Sequence, residues 1–195
     1  MRNQKTLIAV PVYDTCRPET MQSIFHLKTP AGMAADLSFM RGYTVDQSRN
    51  LLVAKSLEEN YDYTFFVDGD VILPPDALER LLKTGAPIAA GWYIKKIPGK
   101  FIPELYQNKN GKLENITGLP QDTLLPVAAC GFGCVLVNNE VFKALGQGDW
   151  FEYVQRSGGV TCSEDITFCV KAAAKGFGVT ADTGLRCGHI GQAVF

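Results

Sequence analysis

Residues 7–12 read LIAVPV, apolar at every position rather than at every second one. A strand with one wet face alternates, so an unbroken short run belongs to a strand covered on both faces, the setting of a central strand in a parallel sheet. Residues 63–68 (YTFFVD) continue the theme, and a further strand is expected near residues 88–92 (IAAGW). Helical patterns separate these runs. Pro18 suits a first helical position, and Met21, Ile24, Phe25 and Lys28 follow at helical spacing toward Pro30. Thr44 and Gln47 form a capping box that opens a helix with Leu51, Leu52 and Leu57 on its buried side. Pro75 begins another, PDALERLLKTG, with Leu78, Leu81 and Leu82 inward and Gly85 as its stop. Residues 36–41 (DLSFMR) alternate as a half-exposed strand. Strands and helices taken in turn predict an α/β sandwich with right-handed crossovers.

The second half is less regular. Residues 101–106 and the segment around Leu113 flank NKNGK, which predicts a hairpin or a long flap. GCVLVNNEVFKAL reads as a strand and a short helix, followed by a glycine-rich aromatic loop over residues 146–159. Thr161 and Glu164 suggest a second capping box for the helix EDITFCVKAAAK, which Gly176 ends. A last strand over about residues 178–181 leads to RCGHIG.

A chain of 195 residues that is 46% hydrophobic can bury one sizeable core, and no low-complexity stretch divides it, so one domain over residues 1–195 is expected. Acids and bases are intermixed around a net charge of -1, which argues against an extended nucleic-acid or membrane surface. The first apolar run is broken by Pro11 and is too short for a signal peptide, and nothing approaches the ~20 residues of a membrane span. A cytoplasmic protein is the expectation, with its six cysteines as free thiols. Cys130, Cys134, Cys162, Cys169 and Cys187 lack the CxxC spacing of zinc ribbons, and small buried thiols are the better reading.

The chemistry is concentrated in YTFFVDGDVILPP, residues 63–75. Carboxylates beside so much apolar sequence must face water, accept hydrogen bonds or neutralise a cation. If strand geometry persists through Gly69, Asp68 and Asp70 point to one side, at the strand end where open α/β sheets bind ligands. Paired hard oxygens there suit Mg²⁺ or Mn²⁺. The plainer alternative is a surface turn built from turn-forming residues.

Four blocks in order resemble the GT-A fold glycosyltransferases with a DxD motif, the large inverting family-2-like group. They are IAVPVYD, SRNLLVAKSLEENYDYTFFVDGD, GFGCVLVNNEVFKALG and SEDITFCVKAAAKGFGVTADTGLRCGHIG. The resemblance implies a mainly parallel, Rossmann-like sheet flanked by helices. It further implies transfer of a sugar from a nucleotide-diphosphate donor, most readily a UDP-sugar, to an acceptor hydroxyl with inversion. By the same resemblance Pro11, Val12, Tyr13 and Asp14 hold the nucleotide, joined by Arg49, Asp68 and Gly69. Gly131, Phe132 and Gly133 approach the donor sugar, and Asp68, Asp70 and His189 ligate Mn²⁺ (or Mg²⁺). Asp165 serves as general base, and Glu164 binds acceptor. An imidazole beside two carboxylates tilts the metal toward Mn²⁺. Each role has a plain rival: a core tyrosine at 13, an exposed helical arginine at 49, a helix cap at 164–165, a simple turn at 131–133. Trp92 and Trp150 could stack on sugars, though tryptophans are more often core.

The QxxRW-type motif of processive synthases is missing, and little chain follows His189. The acceptor would then be held by the flap over residues 95–112 or by a neighbouring subunit, which leaves a homo-oligomer open. Two other classes remain as alternatives. A nucleotidyltransferase would show a glycine-rich basic loop where this chain has PVYDTCRP, and a non-catalytic nucleotide-sugar-binding module would lack the acids.

Overall fold

The computed structural model describes residues 4–155 and 161–191. The first half runs β1 (Gln4–Val12), α1 (Pro18–Phe25), β2 (Met33–Arg41), α2 (Val45–Glu58), β3 (Tyr63–Val67), β4 (Val71–Ile72), α3 (Ala77–Lys83) and β5 (Ile88–Trp92). The second half adds β6 (Leu105–Lys109), β7 (Lys112–Asn115), β8 (Leu124–Val127), β9 (Ala129–Cys130), β10 (Cys134–Asn138) and α4 (Asn139–Leu145). It ends with β11 (Val154–Gln155), β12 (Thr161–Cys162), α5 (Glu164–Ala174), β13 (Val179–Arg186) and β14 (Gly188–His189).

Seven strands form the central sheet in the order β2-β1-β3-β10-β5-β13-β8. Strands β2, β1, β3, β5 and β13 share one direction, while β10 and β8 run against their neighbours. The continuous apolar runs have a direct cause. Phe66 joins the core layer built with Leu52, Val53, Phe142 and Phe168 from α2, α4 and α5. Its neighbours Phe65 and Val67 point the other way, into the layer built with Ile24, Leu78 and Leu81 from α1 and α3. Successive side chains of a strand alternate faces, so a strand between two helix layers needs apolar residues at every position.

Several sequence expectations shift in detail. Leu51 is exposed, and the buried side of α2 is instead Ser48, Arg49, Leu52, Val53 and Ser56. Ser56 is satisfied internally, whereas Ser48 Oγ has no hydrogen-bond partner among the described residues. Thr64 donates to Ser56 at 2.7 Å, and Asn139 donates to Ser56 at 2.9 Å and to the Tyr61 carbonyl at 2.8 Å. The cap of α5 is Ser163, not Thr161, which lies in β12. β13 continues beyond Ala181 to Arg186, through an irregularity in its pairing with β5. β8 was not anticipated because Pro126 interrupts its pattern; an edge strand tolerates proline where a central one does not. The hairpin around NKNGK is β6–β7. Of the loop over residues 146–159, positions 156–159 lie outside the described residues. Among the described residues, no helix is long and apolar enough to cross a membrane.

Candidate active site

β3 stops at Val67, and the strand does not persist through Gly69 as expected. Residues 68–70 form a tight turn closed by the Val71 amide donating to the Asp68 carbonyl at 3.1 Å. β4 then pairs with β14, which brings the tail of the chain to the turn: His189 lies opposite Val71. Gly69 is required by close approach. A Cβ there would meet the Thr15 carbonyl oxygen at 3.3 Å, and the Gly69 carbonyl accepts from the Arg17 amide at 2.7 Å. The acidic turn is thereby fastened to the loop that follows β1.

A cleft of about 340 Å³ opens between these two loops, at the carboxyl ends of β1 and β3. Pro11, Tyr13, Asp14, Arg17, Asp68 and Asp70 line it. Tyr13 is 82% exposed, so it is not a core tyrosine and its ring is free to stack. Val12, expected to touch the nucleotide, has its side chain in the core and is not among the residues that line the cleft. Arg17, Thr15 and Val45 line the cleft without having been singled out from sequence. Proximity to the end of an apolar strand was the one signal that could have marked Thr15 and Arg17.

At the far wall of the cleft, Asp70 faces His189, whose Nε2 is 3.6 Å from Oδ1, while Lys96 pairs with Oδ2. Burial would raise the Asp70 pKa, but hydrogen bonds and charge from His189 and Lys96 outweigh it and hold the carboxyl down at about 2. His189 Nδ1 lies 2.8 Å from the Ile94 carbonyl, which can only accept, so this nitrogen carries the proton. Nε2 is then the ring nitrogen turned toward Asp70 and the one left to meet a metal ion. Tyr93 packs edge-on against the ring at 4.7 Å.

Beneath the cleft lies a charged group that sequence reading placed elsewhere. Arg49 is 2% exposed and does not line the cleft, so it is no direct contact for a nucleotide there. Its Nη2 donates to Asp68 Oδ1 at 2.9 Å, and its Nη1 pairs with Glu164. The guanidinium sits 5.5 Å from the Phe132 ring centroid and 5.7 Å from that of Phe151. Burial works against its charge, but Asp68, Glu164 and Asp165 together overcome that and keep it firmly protonated. Nε finds no partner among the described residues, the remaining penalty of a cation held this deep.

Glu164 is correspondingly buried rather than presented to an acceptor. Burial pushes its carboxyl up, and the attraction of Arg49 offsets only part of the rise. Asp165 is half-buried in the first turn of α5; its Oδ1 accepts from the Ile166 amide at 2.7 Å and from Ser163 Oγ. These bonds fix the orientation of the carboxyl at the start of the helix. Asp165 and Asp68 both act on Tyr93, whose buried hydroxyl is raised chiefly by desolvation and further by these two charges.

The Gly131–Phe132–Gly133 segment is shaped by packing. A Cβ on Gly133 would stand 2.7 Å from Val71 Cγ2 and 2.8 Å from Tyr93 Cε1. The Gly133 amide donates to the Tyr93 hydroxyl at 3.0 Å. Phe132 is fully buried among Phe66, Phe151 and Phe168, so only main chain at this position could meet a sugar. Both tryptophans have their indole N–H engaged, Trp92 with the Thr183 carbonyl at 2.8 Å and Trp150 with the Phe142 carbonyl at 3.1 Å.

Two carboxylates and an imidazole nitrogen turned toward one of them fit a hard or borderline divalent cation. Asp68 and Asp70 each keep one oxygen that is not committed to Arg49 or Lys96. Even so, among the described residues no three His, Cys, Asp or Glu side chains are already gathered as a metal cluster. Cys130 and Cys169 share a hydrogen bond in the core, as do Cys134 and Cys187, and the described cysteines are unbridged.

No protein-family model matches the sequence, and no curated protein matches it. Solved structures do. A197 from STIV superposes with a TM-score of 0.63 at 16% identity, over 97% of this chain and 86% of that one. GalNAc-T7, solved with UDP, GalNAc and Mn²⁺, gives a TM-score of 0.64 at 12% identity, over 97% of this chain and 44% of its own. The architecture is that of the GT-A-like α/β proteins, and at these identities the likeness defines the fold alone.

Proposed function

We propose that the chain is a metal-dependent glycosyltransferase whose 195 residues form one GT-A domain. It would move a sugar from a nucleotide-diphosphate donor, most readily a UDP-sugar, to an acceptor hydroxyl with inversion. The observation that carries this reading is the shared cleft. It brings an exposed aromatic ring, Tyr13, and two carboxylates, Asp68 and Asp70, to the carboxyl ends of adjacent parallel strands, with His189 against Asp70. The UDP and Mn²⁺ in the GalNAc-T7 structure are compatible with that use of the fold.

Tyr13 stacks on the base, and Asp14 accepts from base or ribose. Asp68, Asp70 and His189 would hold Mn²⁺ or Mg²⁺, which supplies Lewis-acid stabilisation of the departing diphosphate. Arg49 fixes the orientation of Asp68 from below, and Lys96 does so for Asp70 from the side. The main chain of residues 131–133 borders the sugar. Asp165 accepts the proton of the acceptor hydroxyl as its oxygen bonds to the anomeric carbon. The bond from that carbon to the diphosphate oxygen breaks on the opposite face, and the nucleoside diphosphate leaves with the electron pair. The test is incubation with a panel of nucleotide sugars and Mn²⁺, following release of nucleoside diphosphate. Metal-dependent release from at least one donor, abolished in Asp70→Asn, is expected; no donor binding and no release would reject the reading.

A further inference from the structure

We propose that the groove on the other side of Asp70 from the nucleotide cleft is the acceptor site, and that its acceptor is a small phosphate-bearing molecule with an apolar body. This rests on the glycosyltransferase reading above. The groove, of about 730 Å³, is walled by the loop over residues 94–101 together with His189 and Gly191. That volume is within the ordinary range for small-molecule sites, about 300–1,000 Å³.

Position is the first argument. Lys96 and His189 line the groove and both touch Asp70, while Asp70 lines the cleft. A donor in one cavity and a second molecule in the other therefore meet across a single carboxylate.

Charge is the second. The cleft sets Asp14, Asp68 and Asp70 against a single Arg17, which suits a cation and its diphosphate. The groove is of opposite sign: Lys95, Lys96 and Lys100 line it, and none of its lining residues is acidic. Lys95 is answered by Glu104 at 3.3 Å and Lys96 by Asp70. Lys100 has no ion pair among the described residues, and neither has Arg186, whose guanidinium lies 5.3 Å from the Phe101 ring centroid and 5.5 Å from that of Trp92. A neutral hydroxyl compound would leave Lys100 unpaired, whereas a phosphate recruits it.

Surface character is the third. Ile97 and Phe101 are exposed at the groove, with Ile94 and Pro98 beside them. An apolar body on this face and an oxyanion toward Lys100 use both halves of the lining.

The experiment titrates the full chain with phenyl phosphate, benzyl alcohol or inorganic phosphate and follows backbone amide shifts by NMR. Saturable shifts over residues 94–101 and 189–191 are expected with phenyl phosphate, at least about tenfold tighter than with either other probe. Lys100→Glu, at an exposed position, should weaken phenyl phosphate about tenfold and leave the other amide shifts, and UDP binding with Mn²⁺, unchanged. Three results overturn the proposal: shifts confined to residues 13–17, phenyl phosphate binding no more tightly than benzyl alcohol or inorganic phosphate, or no effect of Lys100→Glu. Loss of UDP binding in the unaltered protein would instead count against the glycosyltransferase reading and leave the groove result standing.

Discussion

Replacing Arg49 by Met should destabilise the fold in a way that depends on pH, because it strips the one cation from a buried carboxylate. Met retains contact with Phe132 and Phe151, so the change is chiefly electrostatic. Removing one partner of a buried ion pair typically costs about 3–5 kcal/mol. Here there is an escape: Glu164, whose pKa burial already raises, can take a proton once Arg49 no longer opposes it. Protonating a carboxyl at pH 7 from an ordinary value of ~4.3 costs about 1.36 kcal/mol per unit, or roughly 3.7 kcal/mol. That sets a ceiling on the Glu164 share, and the same ceiling at pH 5 is only about 1 kcal/mol. Asp68, part-exposed, adds about 1 kcal/mol at most.

The sign follows from a raised folded-state pKa. Such a carboxyl leaves the fold unharmed below its unfolded value, and stability is lost as pH rises toward the folded one. Urea unfolding of Arg49→Met should therefore show a deficit of about 3–4 kcal/mol against the parent at pH 7, shrinking to about 1–2 kcal/mol at pH 5. Adding Glu164→Gln should recover about 2 kcal/mol at pH 7 and flatten the dependence between pH 5 and 7. A deficit below about 1 kcal/mol at pH 7, or one equal at both pH values, would refute the reasoning.

Other substitutions probe separate parts of the molecule. Gly133→Ala drives a methyl into Val71 and Tyr93 and should lower stability by about 1–3 kcal/mol, read as a fall in thermal midpoint. Asp182 is held by Arg80 through bonds of 2.7 and 2.8 Å; burial would raise its pKa, but the bond and charge from Arg80 bring it below the ordinary carboxylate value. Its contribution is therefore complete above about pH 4 and lost as pH falls through the lowered folded value. Asp182→Asn should cost about 2 kcal/mol at pH 7, less than a fully buried pair because Arg80 is one-third exposed, and the gap should close in acid unfolding. Tyr13→Ala should leave stability within about 0.5 kcal/mol of the parent while weakening UDP binding by about 1–3 kcal/mol in calorimetry; unchanged affinity would remove Tyr13 from the base site.

Local sequence determined the elements that bury themselves by period. The runs at 7–12, 63–67 and 88–92 are strands because each sits between two helix layers, which favours apolar side chains throughout; Thr64 is the exception, its hydroxyl bonded to Ser56. It also placed Asp68 beside Asp70 and put Asp165 in a first helical turn, since both facts concern neighbours along the chain. The signal failed where burial is polar. Arg49 shares a helix face with the buried Leu52 and Val53, but that period does not say what a guanidinium would meet there; its partner Glu164 lies 115 residues away. Val12 and Phe132 were assigned to ligands by position, yet their side chains complete the core. Lys96 reaches Asp70 across 26 residues, from a loop with no periodic pattern to read. Only the packed sheet decided which charges meet, because periodicity records how often a residue faces inward and carries no information about the distant group waiting there.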